Sequence, residues 1–246
     1  WRYRDWVVEA LNQDLPYDQF LRLQIAGDLN GTPVATGFFA LGPTYRSDGG
    51  DPQSVAQSRS ETLDDRLDTF SRGLLALTVS CARCHDHKFD PIPTQDYYSL
   101  AGVFNNTKTT DPKTGLHALN DSGNADMKVA LHGNLLKPGP IAPRRFLRIL
   151  TNAEPPRFTK GSGRLELASA VANPNNPLTA RVLVNRVWMH HFGKALVRTP
   201  SNFGAMGQTP THPLLLDWLA SDFIDSGWSL KALHRTIIAS TTYQMS

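Results

Sequence analysis

The hydrophobic positions of this 246-residue chain recur mostly with the period of an α-helix. Residues 2–13 show such a pattern, and a second one starts at Pro16 and stops at Gly27. Ser58 and Glu61 form a capping box ahead of the longest repeat. The apolar positions of that repeat are Leu63, Leu67, Phe70, Leu74 and Leu77. The pattern therefore predicts several amphipathic helices before residue 80, the longest beginning near Ser58.

The last third of the chain predicts three further helices, which begin after Asn176-Pro177, Thr211 and Ser229. The first is expected to end at Gly193 and the second at Gly227. Their predicted inward positions are Leu178, Val182, Leu183 and Val187, then Leu214, Leu215, Trp218, Leu219 and Phe223, then Leu230, Leu233 and Ile237. Successive capped amphipathic helices bury their apolar faces by packing as a bundle.

The connections between these helices are long and polar. Residues 30–57 are rich in glycine and proline, residues 105–125 have no hydrophobic period, and residues 127–131 indicate one short strand. We expect a mainly α protein with little β structure: a helical region over residues 1–108, an irregular segment over 109–163 and a helical bundle over 164–246.

Composition and charge exclude some function classes. The formal net charge is +3 and 40% of the residues are hydrophobic, which suits a folded globular chain. The sequence has neither the basic stripe of a nucleic-acid-binding protein nor an apolar run that could span a membrane. Because it begins at Trp1 inside an amphipathic pattern, we expect it to be a piece of a longer chain.

The candidate chemistry is concentrated in the run Cys81-Ala82-Arg83-Cys84-His85, which contains both cysteines of the chain. In a C-x-x-C-H motif, the two thiols form thioethers to a haem, and the histidine binds the iron as an axial ligand. A c-type haem is attached outside the bacterial cytoplasm, so this interpretation implies an exported, periplasmic protein. It predicts an electron-transfer module of an oxidoreductase.

A haem iron bound by His85 needs a sixth ligand to complete its coordination, and this ligand must come from elsewhere in the chain. Histidine and methionine side chains in the last third are the candidates. They are His190, His191, Met206 and His212. Each has a structural explanation as well, because a histidine near a helix end favours the dipole and a methionine commonly packs in a core.

A non-haem metal site is the alternative chemistry. Cys81, Cys84, His85 and His87 lie within seven residues, but zinc ligand pairs usually come from two separated segments. A metal-dependent hydrolase could instead hold zinc or another divalent ion with the two histidines and nearby carboxylates. The candidate carboxylates are Glu61, Asp65 and Asp90. The acidic helix face that contains Glu61, Asp64, Asp65 and Asp68 is also explained by simple solvation.

A third hypothesis is a structural or docking role for the C-terminal helices, with Trp188, Trp218 and Trp228 as contact anchors. Their positions on the predicted inward stripes favour a core role over a contact role. Neither nucleic-acid nor membrane partners are indicated by the sequence.

Three stretches of the chain resemble known families. The first two, WRYRDWVVEALNQDLPYDQFLRLQIAGDL and ETLDDRLDTFSRGLLALTVSCARCHDHKFDPIPTQDYYSLAGVF, resemble the planctomycete cytochrome-c-like domain. The third runs from SGRLELASAVANPNNPLTARVLVNRVWMHHFGKALV to the last residue and resembles the companion planctomycete domain of unknown function. Both families occur in large exported bacterial proteins.

The resemblance implies an exported protein with a c-type haem motif at Cys81, Cys84 and His85, but it implies no reaction. Its expected partners are a redox protein or other domains of the same longer chain. Family members usually have a further cytochrome-like domain upstream and a longer middle segment. We therefore expect residues to be missing around 105–127.

Overall fold

The computed structural model describes residues 1–47, 49–110, 116–151 and 153–245, and these residues are mainly helical, as the hydrophobic pattern predicts. The α-helices of the first part are α1 (Arg2–Asn12), α2 (Tyr17–Ala26), α3 (Gly37–Ala40), α4 (Pro52–Phe70) and α5 (Thr94–Asn105). Those of the last part are α6 (Arg164–Val171), α7 (Thr179–Phe192), α8 (Pro213–Asp225), α9 (Leu230–Ile238) and α10 (Thr241–Gln244). The strands are β1 (Thr107–Thr109), β2 (Leu119–Asp121), β3 (Met127–Ala130) and β4 (Pro138–Ala142).

Helix α4 begins at Pro52, six residues before Ser58, so the predicted helix start at the Ser58–Glu61 capping box was wrong. The Asp51 side chain accepts a hydrogen bond from the Ser54 backbone N–H at 2.9 Å, and Pro52 occupies the first helical position. Glu61 instead lies inside the helix, where it accepts a hydrogen bond from Gln57. The first turns of α4 are largely exposed, so they contribute no apolar period to the sequence.

At its other end, α4 passes into a single π-helical turn over Ser71–Leu75 and stops at Ala76, whose φ is +51°. A non-glycine residue with left-handed backbone ends a helix because it cannot continue the right-handed hydrogen-bond ladder. Leu74 and Leu77 remain buried on either side of this break. The chain then turns toward the cysteine motif.

The connecting regions hold more structure than the polar pattern predicts. Within residues 30–57, Phe39 of α3 is buried and packs on Phe104 of α5 with ring centroids 5.1 Å apart. Within residues 105–125, β1 pairs antiparallel with β2; residues 111–115 of this predicted irregular connection lie outside the described residues. The predicted strand at 127–131 is confirmed as β3, which pairs antiparallel with the proline-containing β4.

The three predicted C-terminal helices are present, with corrections at two starts. Ser229 caps α9 as predicted, accepting a hydrogen bond from the Ala232 N–H at 3.0 Å. Thr211 does not cap α8, because His212 precedes Pro213 at the helix start and the Thr211 hydroxyl donates to the Leu196 carbonyl. Helix α7 starts at Thr179, and the Asn176 side chain accepts a hydrogen bond from the Leu178 N–H just before that start.

The buried stripe of α8 differs from the predicted one. Leu214 and Trp218 are 83% and 55% exposed, so placing them inward was wrong. One turn of helix separates these two residues, and they share the solvent side. The buried side chains of α8 are Leu216, Leu219, Ala220 and Phe223. Trp228, by contrast, is buried and packs on Phe223, as a core residue is expected to do.

One cluster of buried residues joins the first and last parts of the chain. It includes Leu21 and Ile25 of α2, Leu167 of α6 and Phe223 of α8. The Tyr17 N–H also donates to the Trp228 carbonyl at 3.0 Å. The helices before residue 110 and those after residue 163 therefore share a core.

A buried arginine lies where three separate segments meet. The Arg164 guanidinium is fully buried and forms two hydrogen bonds to Asp28, at 2.6 and 2.7 Å. It also donates to Asp121 of β2 at 2.6 Å and to the Ile25 carbonyl at 3.2 Å. A buried charge is tolerated when it is paired and its donors are satisfied, as they are here.

Replacing Arg164 with methionine removes the charge but keeps most of the side-chain volume. We expect it to lower the free energy of unfolding by about 3–5 kcal/mol, because Asp28 and Asp121 lose their counter-charge inside the fold. Urea unfolding monitored by circular dichroism measures this. The matched control is Arg181→Met, whose pair with Asp217 is partly exposed and whose loss is expected to cost about 0–1 kcal/mol. Equal losses in the two variants would contradict the expectation.

The same cluster predicts a pH dependence. Burial alone raises the pKa of Asp121, but hydrogen bonds from Ser162 and Arg164 and the Arg164 charge outweigh it, so the net shift is downward. A carboxyl group with a lowered pKa stabilises the fold above its unfolded-state pKa of about 4, and that contribution is lost as the pH falls through the lowered value. Urea midpoints measured below pH 5 are therefore expected to fall with pH in the parent chain and to fall less in Arg164→Met.

Candidate functional site

The two cysteines lie on an exposed turn whose apolar residues pack into the core. Val79 and Ala82 of the 3-10 helix Val79–Arg83 are fully buried, while Cys81 and Cys84 are exposed and not joined in a disulfide. The Cys81 N–H donates to the Thr78 carbonyl at 3.2 Å. Because the apolar residues of the turn face the core, both thiols face solvent.

His85 follows directly and presents one ring nitrogen to solvent. Its Nδ1 lies 2.7 Å from the Asp86 carbonyl oxygen. A carbonyl oxygen only accepts hydrogen bonds, so Nδ1 carries the proton and Nε2 keeps a lone pair. Nε2 has no hydrogen bond within the described part of the chain. This arrangement, with one nitrogen held by a carbonyl and the other open, is typical of a histidine that binds a metal.

His87, two residues later, has the opposite arrangement. Its side chain is buried, and its Nδ1 accepts hydrogen bonds from the backbone N–H groups of Asp90, at 2.8 Å, and Phe89, at 3.2 Å. The proton is therefore on Nε2, which donates to Thr78 Oγ1 at 3.0 Å. Both nitrogens are used within the loop, so His87 offers no open lone pair to a metal and instead holds the turn together.

Two aspartates anchor the loop that follows His85. Asp86 Oδ1 accepts from the Thr94 N–H at 2.8 Å and thereby fixes the loop to the start of α5. Asp90 is buried, and its Oδ1 accepts from the Ala205 N–H at 2.6 Å. Gly204 lies so close that a Cβ there would sit 2.3 Å from Asp90 Oδ2. The motif is thus held between α5 and the loop before α8.

The connection between β3 and β4 contacts the second cysteine. A Cβ at Gly133 would lie 2.6 Å from Cys84 Sγ, so the glycine backbone is in contact with the thiol. Gly133 and His132 both have left-handed backbone, with φ of +74° and +53°. Strained non-glycine residues such as His132 collect at functional sites. His132 is not among the site residues predicted from the sequence, where its only signal is a histidine-glycine pair between two extended segments.

The acidic face of α4 reaches the motif through one carboxylate. Asp64 lies 3.4 Å from the Arg83 guanidinium and accepts a hydrogen bond from the Tyr97 hydroxyl at 2.8 Å. Burial, and then Asp64, raise the pKa of Tyr97. Asp64 therefore positions the residue between the two cysteines, and it is not a candidate metal ligand.

Of the other carboxylates of the predicted metal site, Asp90 lies beside His87, with its Oδ2 3.6 Å from His87 Nε2, and neither Glu61 nor Asp65 is paired with a histidine in the described part of the chain. Glu61 is bonded to Gln57, and Asp90 to the Ala205 backbone. Burial, and then the neighbouring Asp68 and Asp64 charges, raise the pKa of Asp65. Over the described ranges, no group of three or more histidine, cysteine, aspartate or glutamate side chains could hold a metal ion.

The four candidate sixth ligands lie in different surroundings. His191 Nε2 and His234 Nδ1 are 2.7 Å apart, His190 is exposed at the end of α7, and His212 contacts Thr211 at the start of α8. Met206 is 60% exposed and follows Ala205, the residue that donates to Asp90. Of these four, Met206 is on a loop that directly contacts the segment after His85.

The fold and the site define a two-part helical protein in which an exposed C-x-x-C-H turn is held by both parts. Residues 1–109 match the family model described as PSCyt2, protein of unknown function (DUF1549), and residues 163–246 match PSD1, protein of unknown function (DUF1553). These are the cytochrome-c-like and companion families that the sequence resembles. Neither description assigns a function.

Two further comparisons give no match: none of the curated proteins and none of the solved structures is similar to the chain. Among the residues with described structure, no helix is long and apolar enough to span a membrane.

Substituting Gly133 with alanine tests the contact with Cys84. At any left-handed position the added Cβ costs about 1–2 kcal/mol, and here it also meets Cys84 Sγ. We expect a larger loss of unfolding free energy than in Gly31→Ala, where φ is +77° and no atom lies within 4 Å of the added Cβ. We also expect Cys84 to react faster with a thiol reagent in Gly133→Ala only. Indistinguishable variants would contradict the contact.

Proposed function

We propose that the chain is part of an exported c-type haem protein and serves as the electron-transfer module of a periplasmic oxidoreductase. Cys81 and Cys84 form the thioethers, and His85 binds the iron through Nε2. The observation that supports this most is the hydrogen bond from His85 Nδ1 to the Asp86 carbonyl, which leaves Nε2 open beside two exposed, unpaired thiols. The match of residues 1–109 to the PSCyt2 family is consistent with it.

The residues of the motif fit a haem in their donor set, and Tyr98 connects them to a neighbouring cavity. Two thiols and one imidazole of the correct tautomer lie within five residues on one exposed turn. A cavity of about 300 Å³ is lined by residues of α4, α5 and the β3–β4 hairpin, and its lining does not include Cys81, Cys84 or His85. Tyr98 lines this cavity, and its hydroxyl donates to the Arg83 carbonyl at 3.2 Å, which connects the cavity wall to the motif.

A bound haem would supply reversible one-electron exchange at its iron. The chain supplies the positioning. The Asp86 carbonyl orients the His85 ring and fixes its tautomer, as outer partners of metal-binding histidines commonly do. His87, Asp86 and Asp90 hold the backbone of the turn against α5 and against Ala205. The exposure of the motif leaves it open to a redox protein or to another domain of a longer chain.

Two neighbouring histidines give a matched test of this assignment. In a host that matures c-type cytochromes, the parent chain is expected to show a Soret band and, after denaturation, a mass that includes haem. His85→Ala is expected to lose the ligand-dependent features of the spectrum with little change in stability, because the side chain is exposed. His87→Ala is expected to keep those features but to lose about 1–3 kcal/mol of stability, because buried groups lose their partners.

A colourless parent chain of unmodified mass would contradict the proposal. Metal analysis and a thiol assay would then decide between another ion and a reduced or oxidised dithiol at Cys81 and Cys84. If the spectrum changed in His87→Ala and not in His85→Ala, the protein would still bind haem, but His85 would not be its iron ligand.

The sixth position can be tested with the same spectra. The loops that contain His132 and Met206 touch the motif or the segment after it, so we expect any strong sixth ligand to come from one of these two loops. His132→Ala or Met206→Ala is then expected to change the reduced spectrum. Substitution of His190, His191 or His212 is expected to leave it unchanged, and a change in any of these three would contradict the expectation.

A further inference from the structure

A cavity away from the cysteine turn is lined by positive charge. It has a volume of about 570 Å³ and lies between residues 44–47 and 49, α4 and the start of β1. Its cationic lining residues are Arg46, Arg59, Arg66 and Lys108. None of the described residues that line it is acidic; Asp48 lies outside the described residues. Cavities of this size are typical of small-molecule sites.

Arg66 is the unusual member of this group. It is only 8% exposed, its Nε is buried without a hydrogen-bond partner, and within the described ranges no carboxylate is within ion-pair distance of it. Burial lowers the pKa of Arg66, and the charge of Asp65 offsets this only in part. An unpaired buried guanidinium is costly, so its retention calls for an explanation.

The same molecule shows how a buried arginine is otherwise satisfied. Arg164 is fully buried, and two aspartates accept hydrogen bonds from its guanidinium. Arg66 is also buried, but no carboxylate of the described residues pairs with it. Its side chain lines a cavity instead of packing against protein on all sides. A negatively charged molecule that enters the cavity therefore has room to pair with the Arg66 guanidinium.

We infer that this cavity binds a small organic oxyanion, with Arg66 as the buried anchor and Arg46, Arg59 and Lys108 around the entrance. A guanidinium fork matches carboxylate, phosphate and sulfate groups alike. Leu63 and Phe104 add apolar wall, which suits a ligand with a carbon body behind its charged group. This assignment does not depend on haem, because it rests on residues outside the cysteine turn.

The test uses inorganic sulfate as the probe. Thermal unfolding of the purified protein is followed as sodium sulfate, sodium acetate or sodium chloride is added at equal ionic strength. We expect sulfate to raise the melting temperature above the chloride baseline in a saturable manner, because a ligand that binds only the folded state stabilises it. A saturable rise with both anions would show that the site accepts carboxylates as well as sulfate, and a sulfate-only effect would assign it to phosphate or sulfate esters. No saturable rise with either anion overturns the inference.

Arg66→Met separates binding from folding. Without sulfate this variant is expected to melt at or above the parent temperature, because an unpaired buried charge is replaced by an apolar chain. Its apparent sulfate affinity is expected to fall by roughly tenfold or more, which corresponds to 1.4 kcal/mol. Lys108→Gln, at the exposed edge of the cavity, is expected to show a smaller loss of affinity.

Arg198→Met is the matched control, because Arg198 is exposed and does not line the cavity. It is expected to keep the full sulfate response. Equal weakening in Arg66→Met and Arg198→Met would overturn the assignment by showing that sulfate acts through net charge alone. The same conclusion would follow if Arg66→Met kept the parent's sulfate response.

Discussion

The pairing of Arg164 with Asp28 and Asp121 is the constraint on which the arrangement of the two halves depends. The guanidinium comes from the first residue of α6, and the carboxylates come from the turn after α2 and from β2, so one side chain fixes three segments at once. Each partner is buried or partly buried and would be left with an unmatched charge if the segments separated. The shared apolar core supplies the affinity between the halves, and this cluster selects one relative position.

Within that frame, the cysteine turn is stabilised by groups that are not themselves reactive. Val79 and Ala82 hold it from the core, while Asp86 and Asp90 hold its far side. His85 and His87 are two residues apart and have the same side chain, yet their ring protons lie on different nitrogens because one faces a carbonyl and the other faces N–H groups. Hydrogen-bond partners therefore decide which histidine is open to a ligand.

Sequence patterns predicted the features whose physics is local. Ser229 capping α9, the end of α7 at Gly193 and the strand at Met127–Ala130 all follow from neighbouring residues. The start of α4 was missed because its first turns are polar and exposed. Trp218 was wrongly placed in the core because apolar residues occur on more than one face of α8. The Arg164 cluster, the contact of Gly133 with Cys84 and the unpaired Arg66 join residues far apart in the chain, and no single-sequence period reports such contacts.

The contact of Gly133 with Cys84 and that of Ala205 with Asp90 also have a consequence for biogenesis. Both residues come after the motif in the chain, Gly133 by about 50 positions and Ala205 by about 120, so the ribosome makes them later. The nascent chain thus presents Cys81, Cys84 and His85 before the segments that later surround them exist. If a haem is attached after export, a chain that is still unfolded at that point has both thiols free of these contacts, and folding then brings Gly133 against Cys84 and Ala205 against Asp90.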